Sequence, residues 1–165
     1  MMSLVEIIKA KRAHLARFAN QNGAAGEASV LAEMANWIPR PKGKALQVLL
    51  ASLDASGISI KSSSFDAIAL PPAYQLDFLN SSQVTAALPL MCFIEIKSAN
   101  QSRVKPGFNG FFFALTESEI SAADQLKERH RVALYNKVTG EVLLTSVTEI
   151  LARAKSSTWQ VSVQL

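Results

Sequence analysis

One stretch constrains the fold of this chain more than any other: Met91-Cys92-Phe93-Ile94-Glu95-Ile96-Lys97. It is apolar enough to be a central strand. Side chains alternate along a strand, so Ile94 and Ile96 face one way and Glu95 and Lys97 the other. A carboxylate and an ammonium therefore share one face of an otherwise apolar element. Burying such charges is costly unless they pair or meet a metal. A strand with one solvated face would carry the same tripeptide without chemistry, so the surroundings must decide.

Before this strand the spacing is helical. Ser3 and Glu6 form a capping box ahead of a helix over about 4–19, and Gln21-Asn22-Gly23 breaks it. A second helix starts near Gly26-Glu27, carries Val30, Leu31, Met34, Trp37 and Ile38 on one face, and ends at Pro39 and Pro41. A third presents Leu46, Leu49, Leu50 and Leu53, with Gly57 in the place of a C-terminal glycine.

The period then shortens. Ile58-Ser59-Ile60 and Phe65–Leu70 read as short strands, and Pro71-Pro72 open a long irregular stretch to about 90. Phe111–Leu115 reads as another strand, followed by a Thr116/Glu119 capping box and a helix to about 129. Val132–Tyr135 and Val142–Thr145 flank Thr139-Gly140 as a hairpin. Ser146 and Glu149 form a further box, and Trp159, Val161 and Val163 alternate in a final strand. The expectation is one α/β domain over 1–165, with a helical portion to about 57 and a mixed central sheet, flanked by helices, in 58–165.

Composition excludes several function classes. Hydrophobic residues make up 49% of the 165 and charged residues 18%, the mark of a folded chain. A single cysteine, Cys92, rules out an internal disulfide framework, and within its apolar strand it reads as core. Two histidines, His14 and His130, leave little for a His-rich metal site. No apolar stretch approaches the twenty or so residues of a membrane span, and the N-terminus lacks the apolar core of a secretory signal, so the cytoplasm is the expected location and no membrane is an expected partner. Neither G-x-x-x-x-G-K-[S/T] nor G-x-G-x-x-G occurs, leaving nucleotide hydrolysis and dinucleotide binding without support. The net charge of +4 permits a polyanionic partner without requiring one.

Asp66, followed after an interval by Glu95-x-Lys97, resembles the PD-(D/E)XK nuclease superfamily. Gly23-Ala24-Ala25-Gly26-Glu27 is similar to the G-x-x-G-E helix start of its Mrr-like restriction endonuclease branch. Phe113-Ala114-Leu115-Thr116-Glu117-Ser118-Glu119 looks like that branch's F-x-L-T-x-x-E strand-to-helix junction. The likeness covers roughly residues 23–136, with a phenylalanine, Phe65, where the family places proline.

The resemblance implies a restriction-endonuclease-like fold and Mg²⁺-dependent hydrolysis of DNA phosphodiesters, with Mn²⁺ as a substitute. It makes Asp66, Glu95 and the backbone carbonyl of Ile96 the metal ligands, Lys97 the catalytic lysine and Glu27 an auxiliary carboxylate. Hard carboxylate oxygens suit Mg²⁺, which lowers the pKa of bound water and neutralises charge on phosphate. Asp77 is a rival for the first carboxylate. Ser98, Arg103 and Lys105 are the candidate DNA contacts. Metal-assisted hydrolysis does not itself select the sugar, so RNA stays open beside DNA, and a homodimer is what the resemblance implies for assembly. The competing reading is a non-catalytic accessory module of the same fold that binds DNA or protein.

Overall fold

The computed structural model describes Met34, residues 37–100 and 102–158, Val161 and residues 163–165. The helix over 4–19, the start of the second helix, Glu27, His14 and Trp159 lie outside the described residues.

Among the described residues, five strands form one sheet in the order β1-β2-β3-β4-β5: β1 (Trp37–Pro39), β2 (Ala67–Ala69), β3 (Cys92–Ala99), β4 (His130–Asn136) and β5 (Val142–Thr145). Only β3 and β4 run parallel, and the other neighbours are antiparallel. The α-helices among the described residues are four: α1 (Gly43–Ala55), α2 (Ser81–Ala87), α3 (Glu117–Leu126) and α4 (Val147–Arg153). The α/β class and the mixed sheet agree with the sequence expectation.

The first correction falls on Trp37 and Ile38, which are strand rather than helix. The two prolines that seemed to end a helix are the cause. A residue before proline is driven out of the helical region, which holds Ile38 and Arg40 extended. Pro39 is tolerated because β1 is a sheet edge among the described strands.

α1 ends as its glycine suggests. Gly57 adopts φ +88°, and the N–H groups of Gly57 and Ile58 donate to the carbonyls of Asp54 and Leu53. These two bonds satisfy the last free carbonyls of the helix.

Ile58–Ile60 is not a strand. The Gln125 side chain satisfies Ser59 from both sides, accepting its N–H at 2.8 Å and donating to its carbonyl at 2.8 Å, so no strand partner is needed. The stretch after Pro72 is less irregular than expected. Asn80 Oδ1 accepts the Gln83 N–H at 3.1 Å and starts α2.

Phe111–Leu115 pairs with no strand among the described residues. Its alternation reflects burial alone: Phe111, Phe113 and Leu115 pack on the cluster of Val104, Phe108, Val132 and Leu134, while Phe112 is 74% exposed. The helix after Thr116 is also shorter than the stretch to about 129. It ends at Leu126, and Lys127 turns the chain with φ +54°. The hairpin holds, with Tyr135 opposite Val142. The Ser146 cap forms only half of its box, because Glu149 turns its side chain to accept from Thr145 Oγ1 at 2.7 Å. Val161 and residues 163–165 lie in no strand.

The sheet buries both faces. Phe93 and Ile68 sit with Leu49, Leu53, Phe65, Val84 and Leu126 on the side of α1, α2 and α3. Ala67, Ile94, Ile96, Ala133 and Tyr135 form the opposite layer with Met34. β3 is thus central, and the face carrying Glu95 and Lys97 is the one that α3 covers.

Candidate metal and phosphodiester site

Asp66 stands immediately before β2, where the ladder with β3 ends. Ala67 is opposite Ile94, yet the Asp66 N–H also donates to the Ile94 carbonyl at 2.7 Å. The Ile94 carbonyl thus receives the N–H of the residue just before the strand, and the chain bends there as the ladder ends. The Asp66 carboxylate is turned along β3, where its Oδ2 accepts the Ile96 N–H at 2.9 Å. A strand residue presents its N–H and its carbonyl to the same neighbour, so the Ile96 carbonyl faces the same edge as Asp66.

Arg40 fixes this junction from the other side. Its N–H donates to the Asp66 carbonyl at 2.9 Å, and its Nη1 donates to the carbonyls of Ser62 at 2.6 Å and Phe65 at 2.9 Å.

Glu95 is 7% exposed, and its Oε2 is buried without a hydrogen-bond partner. Burial and then the Asp66 charge push its carboxyl up to about 8, against the opposing pull of Lys97. The Asp66 charge is thus near enough to be felt at the Glu95 carboxyl.

Lys97 belongs to a different partner. Its Nζ lies 2.6 Å from Glu119 Oε1 and 3.5 Å from Glu95 Oε1. The shorter contact is a charge-assisted hydrogen bond, and the longer is at the outer limit of one. Glu119 is 3% exposed and uses both oxygens, with Oε2 accepting the Thr116 N–H at 2.6 Å as the return half of the capping box. Burial would raise the Glu119 carboxyl, but the Lys97 and Thr116 bonds outweigh it and hold it below the ordinary range.

Glu119 enters the sequence reading as a helix cap and as the last residue of the strand-to-helix junction, with no role at the site. Its signal was present in the Thr116/Glu119 spacing, but nothing local shows that the capping carboxylate spends its other oxygen on a lysine in β3.

The remaining candidates are placed less favourably. Asp77 is exposed in a turn and accepts the Leu79 N–H at 2.9 Å through its own Oδ1. Ser98 lies opposite Tyr135 on the Ile94/Ile96 layer, away from the face of Glu95 and Lys97. Arg103 and Lys105 are exposed on a loop tied elsewhere. The Gly107 N–H donates to Glu141 Oε1, and Arg153 donates to the Gly107 carbonyl, both at 2.7 Å.

His130 is 1% exposed in the core. Its Nε2 donates to the Ser64 carbonyl at 3.0 Å, and burial holds the imidazole below its ordinary pKa. Cys92 is half-buried, and burial raises its thiol.

Among the described residues no three His, Cys, Asp or Glu side chains converge as a metal-holding group. The oxygens that the sequence assigns to a divalent ion are two carboxylates and a carbonyl, those of Asp66, Glu95 and Ile96, and the Asp66 carboxylate and Ile96 meet through the 2.9 Å bond. The unpartnered Glu95 Oε2 is the atom whose environment such an ion would satisfy. The chain matches no family model, no curated protein and no solved structure.

Proposed function

We propose that this chain is a metal-dependent endonuclease of the PD-(D/E)XK type, with a restriction-endonuclease-like fold, acting on DNA phosphodiester bonds. The observation that carries the reading is the Asp66–Glu95 pair. The Asp66 carboxylate accepts the Ile96 N–H on β3, and next to Ile96 Glu95 is buried with an unsatisfied oxygen.

Asp66, Glu95 and the Ile96 carbonyl would hold Mg²⁺, which supplies a lowered pKa for bound water and neutralises charge on the scissile phosphate. Lys97 sets an ammonium on the same strand face as Glu95, and its three donors can be shared between Glu119 and a phosphate oxygen or water. Glu119 holds that ammonium in place, and its own position is fixed by the α3 cap. The antiparallel β2–β3 pair followed by a helical crossover to parallel β4 supports the fold assignment.

The direct test is nicking of supercoiled plasmid in Mg²⁺, with a chelator control, beside Glu95→Ala and Lys97→Ala. Loss of cleavage in the chelator and in both variants is the expected result. Cleavage that survives either substitution rejects the site.

A second reading has one observation in its favour. The Lys97 ammonium is already bonded to Glu119 at 2.6 Å, as in a structural ion pair. A non-catalytic module that binds DNA or protein would keep this pair, and would show salt-sensitive DNA binding without cleavage.

A further inference from the structure

Carboxylates at a cleavage site repel the phosphate chain they are proposed to cut, so cations that admit it are expected nearby. The charge is unevenly spread along the sequence. Residues 40–61 hold Arg40, Lys42, Lys44 and Lys61 against the single acid Asp54, a surplus of three out of the net +4 of the whole chain. The following stretch, 62–100, holds Asp66, Asp77 and Glu95 against Lys97. The basic segment and the acidic one meet at the bond from Arg40 to the Asp66 carbonyl.

From that bond the geometry is short-range. Lys42 and Lys44 lie two and four residues beyond Arg40, and Lys61 lies five before Asp66 and next to Ser62, whose carbonyl Arg40 Nη1 binds. Consecutive Cα atoms are about 3.8 Å apart, so Lys42 and Lys61 stem from backbone within ~20 Å of Asp66 at full extension. All three lysines are exposed, and none has an ion-pair partner among the described residues. The first turn of α1, between Lys42 and the helix body, holds no carboxylate, so nothing there competes for the lysines.

We infer that Lys42, Lys44 and Lys61 form the track for one phosphodiester backbone of a DNA duplex, delivering it to the Asp66–Glu95 edge. This role falls to them rather than to the loop lysine and arginine at 105 and 103. Arg40 donates to three backbone carbonyls of the Asp66 segment, those of Ser62, Phe65 and Asp66, through its own N–H and Nη1, and so couples the track to the segment that carries the carboxylate. The inference rests on the DNA reading above, but not on cleavage.

The test is the salt dependence of binding to a short fluorescein-labelled duplex in Ca²⁺. It compares the full chain, the triple variant Lys42→Gln/Lys44→Gln/Lys61→Gln and the loop variant Arg103→Gln/Lys105→Gln. Each phosphate contact contributes about 0.9 to the slope of log K against log salt. The triple variant is expected to lose roughly 2–3 units of slope, while the loop variant keeps the slope of the unmodified chain. Exposed Lys→Gln changes leave folding intact, which circular dichroism verifies.

A triple variant with unchanged slope overturns the track, and it does so even where the unmodified chain cleaves plasmid. A slope lost in the triple variant supports the track even where no cleavage is seen, and then only hydrolysis fails. Absence of salt-dependent DNA binding in the unmodified chain overturns both.

Discussion

The Asp66 carboxylate reaches past its own strand and accepts the backbone N–H of Ile96, the residue between Glu95 and Lys97, at 2.9 Å. That one bond ties the start of β2 to the charged end of β3. It sets a second negative charge against a carboxyl that burial already disfavours as an anion.

Replacing Glu95 with Gln should stabilise the metal-free protein. The Glu95 carboxyl is raised from its ordinary 4.5 to about 8, so between those values the folded state holds a proton that the unfolded state has released. Stability therefore falls as pH rises through this window. In chelator at neutral pH, Glu95→Gln is expected to gain at least about 1 kcal/mol, or a Tm increase of ~2–4 °C, and to flatten the pH dependence between pH 5 and 8. Thermal unfolding across that range checks it. A variant less stable than the parent at pH 8 counts against a buried, unsatisfied Glu95.

Glu119→Ala should cost more than loss of a cap alone. The substitution removes an acceptor from the Thr116 N–H, which caps usually make worth about 1 kcal/mol. It also leaves the Lys97 ammonium without its 2.6 Å partner. Breaking one side of a buried pair costs ~3–5 kcal/mol, and Lys97 is partly exposed, so the expected total is about 2–4 kcal/mol. The double variant Lys97→Met/Glu119→Ala should recover part of this, because no unpaired charge remains. Chemical denaturation of the single and double variants reads the difference, and additive losses would mean that the two residues do not interact.

His130 should make the fold acid-sensitive. Its imidazole is held below the ordinary 6.5 by burial, so below that pH the unfolded chain binds a proton that the folded state refuses. This contribution to stability is complete above pH 6.5 and is lost as pH falls towards the depressed value. His130→Gln, which retains a donor for the Ser64 carbonyl, should remove this slope while lowering stability at pH 8 by about 1 kcal/mol. Urea unfolding at pH 5 and pH 8 compares the two proteins. An unchanged difference between the pH values in the variant would assign the acid sensitivity elsewhere.

Much of this architecture is legible from periodicity and punctuation. The β3 strand, the α3 cap and the β4–β5 hairpin are each specified by residues close in sequence. The errors share a cause: period alone reports which side chains are buried, not what the backbone pairs with. Phe111, Phe113 and Leu115 alternate into a core without joining the sheet, and the backbone of Ser59 is completed by a side chain from α3. Trp37 and Ile38 fit a helical stripe until the constraint that proline places on its predecessor is counted.

The candidate site divides in the same way. Glu95 and Lys97 lie two apart on one strand, so alternation places them together. Asp66 depends on the bend at the end of the β2 ladder, which leaves no local mark beyond the residue type, and the bond from Glu119 to Lys97 depends on how α3 lies against β3, which its capping spacing does not reveal.

The account stands most directly on a titration of the protein with Mn²⁺, followed by the loss of the free-ion paramagnetic resonance signal. The unmodified chain and Asp77→Asn should each take up a single ion, while Asp66→Asn and Glu95→Gln should both lose at least about tenfold in affinity. Equal binding by Asp66→Asn and the unmodified chain, or a loss confined to Asp77→Asn, would contradict a metal shared between Asp66 and Glu95.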